Sequence, residues 1–314
     1  MELAQELLGG VFQNPVLLAS GTCGFGRELA GVLELETLGG LVTKAVTPEP
    51  REGNPPLRVA EFDAGMLNSV GLANPGVDAF RSEHLPWLRD NLHRARVLVN
   101  VAGRTVEDYV RVVEAMDGDQ GFLGYELNVS CPNVKEGGAV FCSRDDLLTD
   151  VIAAVRAVTC RPLVAKLAPN VPDIGHMAEV AVAAGADALT LINTHPGLMF
   201  DLESWRPVLG GGTGGVSGPA LLPIGVHAVW QARRRVDVPI IGVGGIRRGT
   251  DAVQYLLAGA CLVQVGTASF ADPRASARVL SELTAYMRDH RVSGIRELIG
   301  AARSAAPPQG EPHG

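Results

Sequence analysis

Six polar residues stand at the carboxyl ends of apolar runs in this chain, and they are the first candidates for chemistry. They are Ser20, Lys44, Asn100, Asn128, Lys166 and Asn193. A single asparagine in such a place is more often a solvated strand end. Six such residues are harder to explain in that way if the runs form one barrel. The carboxyl ends of its strands then meet at a single mouth, where barrel enzymes place their active sites. Together they predict one polar site.

Two of the six are lysines, and a lysine on a buried strand must pair with an anion or lose its proton. One interpretation is a Schiff-base lysine, as in aldolases. The other is a fixed cation that stabilises negative charge on a flavin ring or on a substrate carboxylate. Composition leaves both interpretations open for Lys44 and Lys166.

Two glycine-rich turns follow the last two apolar runs. Their sequences are GVGGIRRG at 242–249 and QVGTASF at 264–270. In barrels the loops after strands 7 and 8 commonly bind phosphate, because open backbone N–H groups and a following helix attract anions. Tight turns alone would also explain one such loop, but two at these positions favour a phosphate site. The pattern is not GxGxxG and predicts no doubly wound nucleotide fold.

The segment YELNVSCPNVKEGG at 125–138 places Cys131 just beyond Asn128, ahead of a glycine-rich loop. A cysteine at a barrel mouth beside amide donors can act as a base or nucleophile. The alternative is a small apolar residue packed under a loop. We assign that alternative to the other four cysteines, Cys23, Cys142, Cys160 and Cys261. No metal site is predicted.

Apolar runs of strand length alternate with helical patterns along most of the chain. Continuous apolar strands separated by helices indicate a parallel sheet buried on both faces, and eight units favour a closed (β/α)8 TIM barrel, an α/β fold. Two insertions, at 47–75 and 197–218, interrupt the alternation; we expect the first to be a hairpin or lid, since long loops often cover a site. The predicted strands are 16–19, 41–44, 97–101, 124–129, 163–167, 188–192, 239–243 and 261–265, and predicted helices include 106–116, 145–158, 174–184 and 219–234.

Composition limits the classes of protein further. The chain of 314 residues carries a net charge of −7, which disfavours a nucleic-acid partner. Its five cysteines are odd in number and form no CxxC pair, which fits a reducing cytoplasm. We expect no signal peptide and no membrane association. We predict one barrel domain at 1–303 and a disordered tail, SAAPPQGEPHG, at 304–314.

The block ELNVSCPN resembles the active-site signature of class 1 dihydroorotate dehydrogenases, in which the cysteine is the general base. Further family-like blocks occur in the same order, and the resemblance covers residues 5–303. They are ASGTCGFG at 19–26, VTKAVTPEPREGNPPLRV at 42–59, GMLNSVGLANPG at 65–76, AKLAPN at 165–170, INT at 192–194, GGVSGPALLPI at 214–224, and the GVGGI and QVGTA turns.

Within the class, PEPREGNP, KLAPN and RPVL at 206–209 followed by GGVSGPA are most similar to the NAD-linked subclass, 1B. That resemblance implies a homodimeric core and a second subunit carrying FAD and an iron–sulfur cluster, since this chain has no cysteine cluster for iron and no dinucleotide fingerprint. The sequence departs from the subclass at His195–Leu198 and in GGGTGG at 210–215, so the electron acceptor stays open.

The reaction implied by the resemblance is oxidation of dihydroorotate to orotate in pyrimidine synthesis. Cys131 would remove a proton from C5 while hydride passes from C6 to N5 of FMN. Substrate would contact Lys44, Asn68, Gly71, Leu72, Asn128, Asn133, Asn193 and Thr194. FMN would contact Ala19, Ser20, Gly21, Lys44, Asn100, Asn128, Lys166, Ile192, Ser217, Gly218, Gly244, Gly245, Gly266 and Thr267, with Lys166 near its N1 and C2 carbonyl.

Two other functions compete with this one. A Schiff-base aldolase using Lys166 would carry no flavin, so the colour of the purified protein separates the two. A non-catalytic barrel subunit that only binds a partner is the second, although Cys131 and the two glycine turns argue against it. A turnover assay distinguishes it.

Overall fold

Eight short strands pair in parallel and close on themselves in a computed structural model that describes residues 1–130, 132–133 and 139–302. Each strand pairs with the next along the chain, and the last pairs with the first. All eight predicted strands are present, so the predicted (β/α)8 barrel is confirmed. The strands are β1 Val16–Leu18, β2 Gly40–Val42, β3 Arg96–Val101, β4 Gly124–Asn128, β5 Leu163–Leu167, β6 Ala188–Leu191, β7 Ile240–Val243 and β8 Leu262–Val265.

Helices surround the barrel and bury their apolar faces against it. Val106–Met116 is typical: Thr105 caps its first turn by accepting from the Asp108 amide, and Val112 and Val113 are buried. The other helices are Val77–Ala79, Leu85–Asn91, Asp145–Arg156, Ile174–Ala183, Leu222–Arg233, Gly249–Ala258, Ala268–Ala271 and Ala275–Asp289, with a π-helical turn at Phe80–His84 and 3₁₀ turns at Leu35–Thr37, Phe141–Ser143, Pro219–Leu221 and Ile295–Glu297.

The predicted helices differ from the observed ones mainly at their ends. The helix expected at 145–158 ends at Arg156, and the one expected at 219–234 begins as a 3₁₀ turn and becomes α-helical at Leu222. The connection from β1 to β2 contains the 3₁₀ turn Leu35–Thr37 in place of a regular crossover helix.

The amino-terminal end of the barrel is closed by a hairpin, Gln5–Leu7 and Gly10–Phe12. Phe12 is fully buried among the inward-facing residues of the lower strands. This apolar cluster also contains Leu17, Val42, Leu98, Val164, Ala188, Ile241 and Leu262. The closed end leaves the carboxyl ends of the strands as the open mouth of the barrel.

Above that mouth lies a four-stranded antiparallel sheet, which we call the cap sheet. Its strands, in spatial order, are His195–Gly197, Gly214–Ser217, Gly65–Asn68 and Val59–Phe62. The hairpin predicted within 47–75 is therefore confirmed. The pairing of that hairpin with strands of the loop after β6, where both departures from the 1B pattern lie, was not predicted.

Two further short hairpins complete the described strands: Phe200–Asp201 with Arg206–Pro207, and Pro132–Asn133 with Ala139–Val140. Within the described part of the chain, no helix is long and apolar enough to cross a bilayer. The tail expected to be disordered, 304–314, lies outside the described residues.

Candidate active site

A cavity of about 980 Å³ opens between the strand ends and the cap sheet. It is large for a single small molecule and lies where barrel enzymes act. All six polar strand-end residues line it. So do the other predicted site residues whose side chains or glycine backbones are described: Ala19, Gly21, Asn68, Gly71, Leu72, Ile192, Thr194, Ser217, Gly218, Gly244, Gly245, Gly266 and Thr267.

An asparagine pair bridges the rim of the cavity. Asn193 Nδ2 donates to Asn128 Oδ1 at 3.1 Å, and Asn193 Oδ1 accepts from the Thr194 amide at 2.8 Å. Tyr109 holds the end of β4 from outside by donating its hydroxyl to the Asn128 carbonyl at 2.7 Å. The described contacts occupy both ends of the Asn193 amide and give Asn128 Nδ2 no partner, so Asn128 can donate to a ligand.

The cap sheet contributes the opposite wall. Asn68 Nδ2 donates to the Gly215 carbonyl at 3.1 Å, which links the two insertions. Gly71 has a φ of +73°, and a Cβ there would lie 2.6 Å from the Asn54 amide nitrogen. A larger residue would therefore push the 68–72 turn out of place.

The turn after β7 has the glycines that a phosphate cradle needs. Gly244 and Gly245 both have positive φ, of +125° and +74°. A Cβ on Gly245 would lie 2.5 Å from the Leu222 amide nitrogen, at the start of the helix Leu222–Arg233. Tyr255 fixes the turn by donating its hydroxyl to the Gly244 carbonyl at 2.8 Å. This bond holds the turn at the cavity wall, which both glycines line.

A buried polar network centred on Glu126 lies beside the cavity. Glu126, on β4, is fully buried, and four barrel strands supply donors to it. The donors are Asn100 Nδ2, Thr190 Oγ1 and Gln264 Nε2, each at 2.8 Å, and Lys166 Nζ at 3.4 Å. Each of these four residues lies two positions after a member of the apolar cluster, so the network forms the next layer toward the mouth.

Sequence reasoning identified Asn100 and Lys166 but missed Glu126, Thr190 and Gln264. A signal for Glu126 was present: it precedes Asn128 by two positions, and alternate residues of a strand point to the same face. A charged residue inside a run buried on both faces requires partners.

The two lysines have different surroundings. Lys166 is nearly buried, with its side chain 8% exposed, and forms the ion pair with Glu126. Lys44 is half-buried and lines the cavity, and the described contacts give its ammonium no partner. An ammonium paired with a buried carboxylate is a poor nucleophile, which disfavours the Schiff-base interpretation of Lys166.

The comparison with known sequences decides the family. A family model described as dihydroorotate dehydrogenase matches residues 2–287. The chain belongs to the dihydroorotate dehydrogenase family. Its membership makes it an oxidoreductase and confirms the resemblance found in the sequence.

Three relatives illustrate where the chain lies within the dihydroorotate dehydrogenases. A Citrifermentans bemidjiense protein named dihydroorotate dehydrogenase B (NAD(+)), catalytic subunit, is 45% identical over 300 residues, 96% of this chain and 98% of that protein. A Desulforudis audaxviator protein of the same name is 47% identical over 302 residues, with the same coverage. A Solibacter usitatus protein, also 47% identical over 302 residues (96% and 99%), is provisionally named dihydroorotate dehydrogenase A (fumarate).

A solved dihydroorotate dehydrogenase has the same architecture. The Eimeria tenella enzyme, crystallised in complex with ferulenol, superposes with a TM-score of 0.81 at 25% identity, covering 96% of this chain and 88% of that one. This chain and the Eimeria tenella enzyme thus share the barrel although only a quarter of their aligned residues are identical.

The described residues include four of the chain's five cysteines. Cys131 lies outside the described residues, as does the side chain of Asn133, whose backbone belongs to a short strand. Cys23 and Cys142 are buried, and burial raises the pKa of the Cys23 thiol to about 12. The expectation of a packed residue is wrong for Cys160, which is exposed in the loop before β5.

Proposed function

We propose that this chain binds FMN and oxidises dihydroorotate to orotate in pyrimidine biosynthesis. The observation that carries the proposal is one cavity, in a member of this family, lined by two lysines, several asparagines and two glycine turns. Amide side chains offer donors and acceptors together, which suits a ring that alternates C=O and N–H groups. Lysines suit its carboxylate.

The residues present fit FMN. Asn100 Oδ1 is buried at the cavity wall and has no hydrogen-bond partner among the described residues, so it is an acceptor ready for a ligand N–H. The turns at Gly244–Gly245 and Gly266–Thr267 offer backbone N–H groups to a phosphate. A cavity of about 980 Å³ has room for the cofactor and a substrate together.

The cofactor-binding residues divide by the part of FMN they would hold. The ring would lie among Ala19, Ser20, Gly21, Asn100, Lys166 and Ile192, with Ser217 and Gly218 closing the cap side. The phosphate would lie on the two glycine turns. When bound, FMN supplies the acceptor for the hydride that leaves C6 of the substrate.

The protein's own residues would bind the substrate and move its proton. Asn68, Asn128, Asn133, Asn193 and Thr194 would hold the carboxylate and ring amides, with Gly71 and Leu72 adding backbone contacts. Lys44 would lie between substrate and cofactor. Cys131 would take the proton from C5 as the general base.

Ser130 gives partial support to that role for the neighbouring cysteine. Its hydroxyl donates to the Lys166 carbonyl at 3.3 Å, so the chain enters the segment that contains Cys131 beside the cavity wall. Ser130, the residue before Cys131, is thus held next to a residue proposed to bind FMN.

We also propose a partner, a subunit carrying FAD and an iron–sulfur cluster, assembled on a homodimeric core of this chain. The support is the resemblance to the 1B subclass and the names of relatives described as catalytic subunits of the NAD-linked enzyme. Reduced flavin can release electrons singly, which suits an iron–sulfur exit path.

The identity of the cofactor can be tested by releasing it from the purified protein. The purified protein should be yellow, and acid-released cofactor should co-migrate with FMN on chromatography at about one molecule per chain. FAD in its place, or a colourless protein that takes up no FMN, would refute the proposed function.

A further inference from the structure

The buried network around Glu126 is not used by the reaction as described above. It contains a carboxylate with no exposed surface, whose two oxygens meet only donors among the described contacts. Oε1 accepts from Asn100 and Lys166, and Oε2 accepts from Thr190 and Gln264. Four donors, one of them an ammonium, are thus directed at the carboxylate, an arrangement that stabilises its negative charge.

The Glu126 carboxylate is held mainly by neutral groups. Three neutral donors lie at 2.8 Å from it, and the Lys166 ammonium is the most distant of its four partners. Removing one member of a buried ion pair leaves the other uncompensated in a medium of low polarity. The opposite charges of Glu126 and Lys166 therefore largely cancel. The electrostatic potential in the cavity depends on both residues and not on Lys166 alone.

Two members of the network also line the cavity. Asn100 and Lys166 belong to its wall, whereas Glu126 lies one contact behind them. The Glu126 carboxylate would therefore not contact a ligand in the cavity. Its negative charge would still act on the ligand, because the protein interior screens charge poorly. It also fixes the rotamers of the two side chains that would touch the ligand.

We propose that Glu126 is a positioning residue that orients Lys166 and Asn100 and, through its charge, lowers the reduction potential of FMN bound in the cavity. The inference rests on the proposed function. Reduction adds negative charge to the cofactor, which a nearby anion disfavours and a nearby cation favours. Lys166 and Glu126 thus act in opposite directions, and the potential reflects the balance between them.

The test measures the midpoint potential of bound FMN in wild type, E126Q and K166M by equilibration with a reference dye, together with the Kd of oxidised FMN. E126Q should favour reduction at least tenfold, about 30 mV for a two-electron couple. K166M should shift the potential the opposite way. The Kd of oxidised FMN for E126Q should stay within about threefold of wild type, because the oxidised ring is uncharged.

Glutamine is a mild replacement at this position. Gln264 Oε1 is buried and has no partner among the described residues, so the Gln264 amide can turn over and accept from the new NH2 group, while Asn100 keeps its donor on the remaining oxygen. If E126Q fails to fold, comparison of K166M with E126Q/K166M measures the same charge, since the double variant should recover most of the shift seen in K166M.

T190V is the matched control, because it removes one neutral donor to Glu126 and keeps both charges. It should change the potential by less than a third of the E126Q shift. If E126Q and K166M move the potential in the same direction, or if T190V has as large an effect as E126Q, the network is structural and the inference is wrong. A wild-type chain that binds no FMN would overturn the proposed function and this inference with it.

Discussion

Asn193, after β6, donates from Nδ2 to Oδ1 of Asn128, at the end of β4, across 3.1 Å. The two strands are not neighbours, since β5 lies between them. The bond therefore ties the rim of the barrel together across an intervening strand. It also fixes the orientation of the Asn128 amide, whose NH2 group has no partner among the described contacts and can donate to a ligand.

The first prediction concerns this pair. Asn193→Ala removes the donor to Asn128 Oδ1 and one proposed substrate contact, so kcat/KM for dihydroorotate should fall roughly 10- to 100-fold, the cost of one or two buried hydrogen bonds. FMN content should not change. Asn91→Ala is the control, because Asn91 is exposed and its side chain bonds within its own helix, to the Trp87 carbonyl. Equal rates in both variants would exclude Asn193 from substrate binding.

The second prediction concerns the turn after β7. Gly245→Ala places a Cβ 2.5 Å from the Leu222 nitrogen at a φ of +74°, so the turn must shift. The Kd of FMN should rise more than tenfold. Gly118→Ala is the control: a Cβ there meets no atom within 4 Å, and it should bind FMN as wild type does. Unchanged affinity in Gly245→Ala would show that the phosphate lies elsewhere.

The third prediction concerns the base. Cys131→Ser should keep FMN and substrate but slow reduction of the flavin by dihydroorotate about 10²- to 10⁴-fold near neutral pH, because an alcohol is a much poorer base than a thiol. The rate should recover partly as pH rises. Exposed Cys160 supplies the matched control, Cys160→Ser, with a wild-type rate. If Cys131→Ser matches wild type in rapid-mixing experiments at pH 7, another group takes the proton.

The strands were predictable because each is an apolar run short enough to be a strand, and most of them are followed by a helical pattern. The polar strand ends were predictable for the same reason: Asn128 is the last residue of β4, and Asn193 follows β6 closely. Glu126, Thr190 and Gln264 lie inside runs and were missed, although alternation from Asn128 back to Glu126 gave a usable signal.

The cap sheet could be predicted only in part. The hairpin of Val59–Phe62 and Gly65–Asn68 is local, and its two-residue turn is visible in the sequence. The pairing of Leu67 with Val216 joins two insertions nearly 150 positions apart, and no local propensity encodes such a contact. The prediction that Cys160 is packed was wrong, because the position of a residue in a loop between a helix and a strand does not determine whether its side chain is buried.

The fourth prediction concerns the electron acceptor. The chain without other subunits should reduce artificial dyes or oxygen with dihydroorotate and leave NAD unreduced, because it has no dinucleotide fingerprint. Adding the iron–sulfur flavoprotein subunit of the same cell should start NAD reduction. Efficient reduction of fumarate by the lone chain would instead place it with the fumarate-linked type, a name that one relative carries. Comparing initial rates with NAD, fumarate and a dye decides between them.

The most direct measurement is anaerobic titration of the purified, FMN-loaded chain with dihydroorotate. The account predicts that the yellow absorbance bleaches in proportion to added substrate, reaches completion near one equivalent per flavin, and yields orotate on chromatography. A chain whose FMN is bleached by dithionite but stays oxidised in excess dihydroorotate would contradict the account.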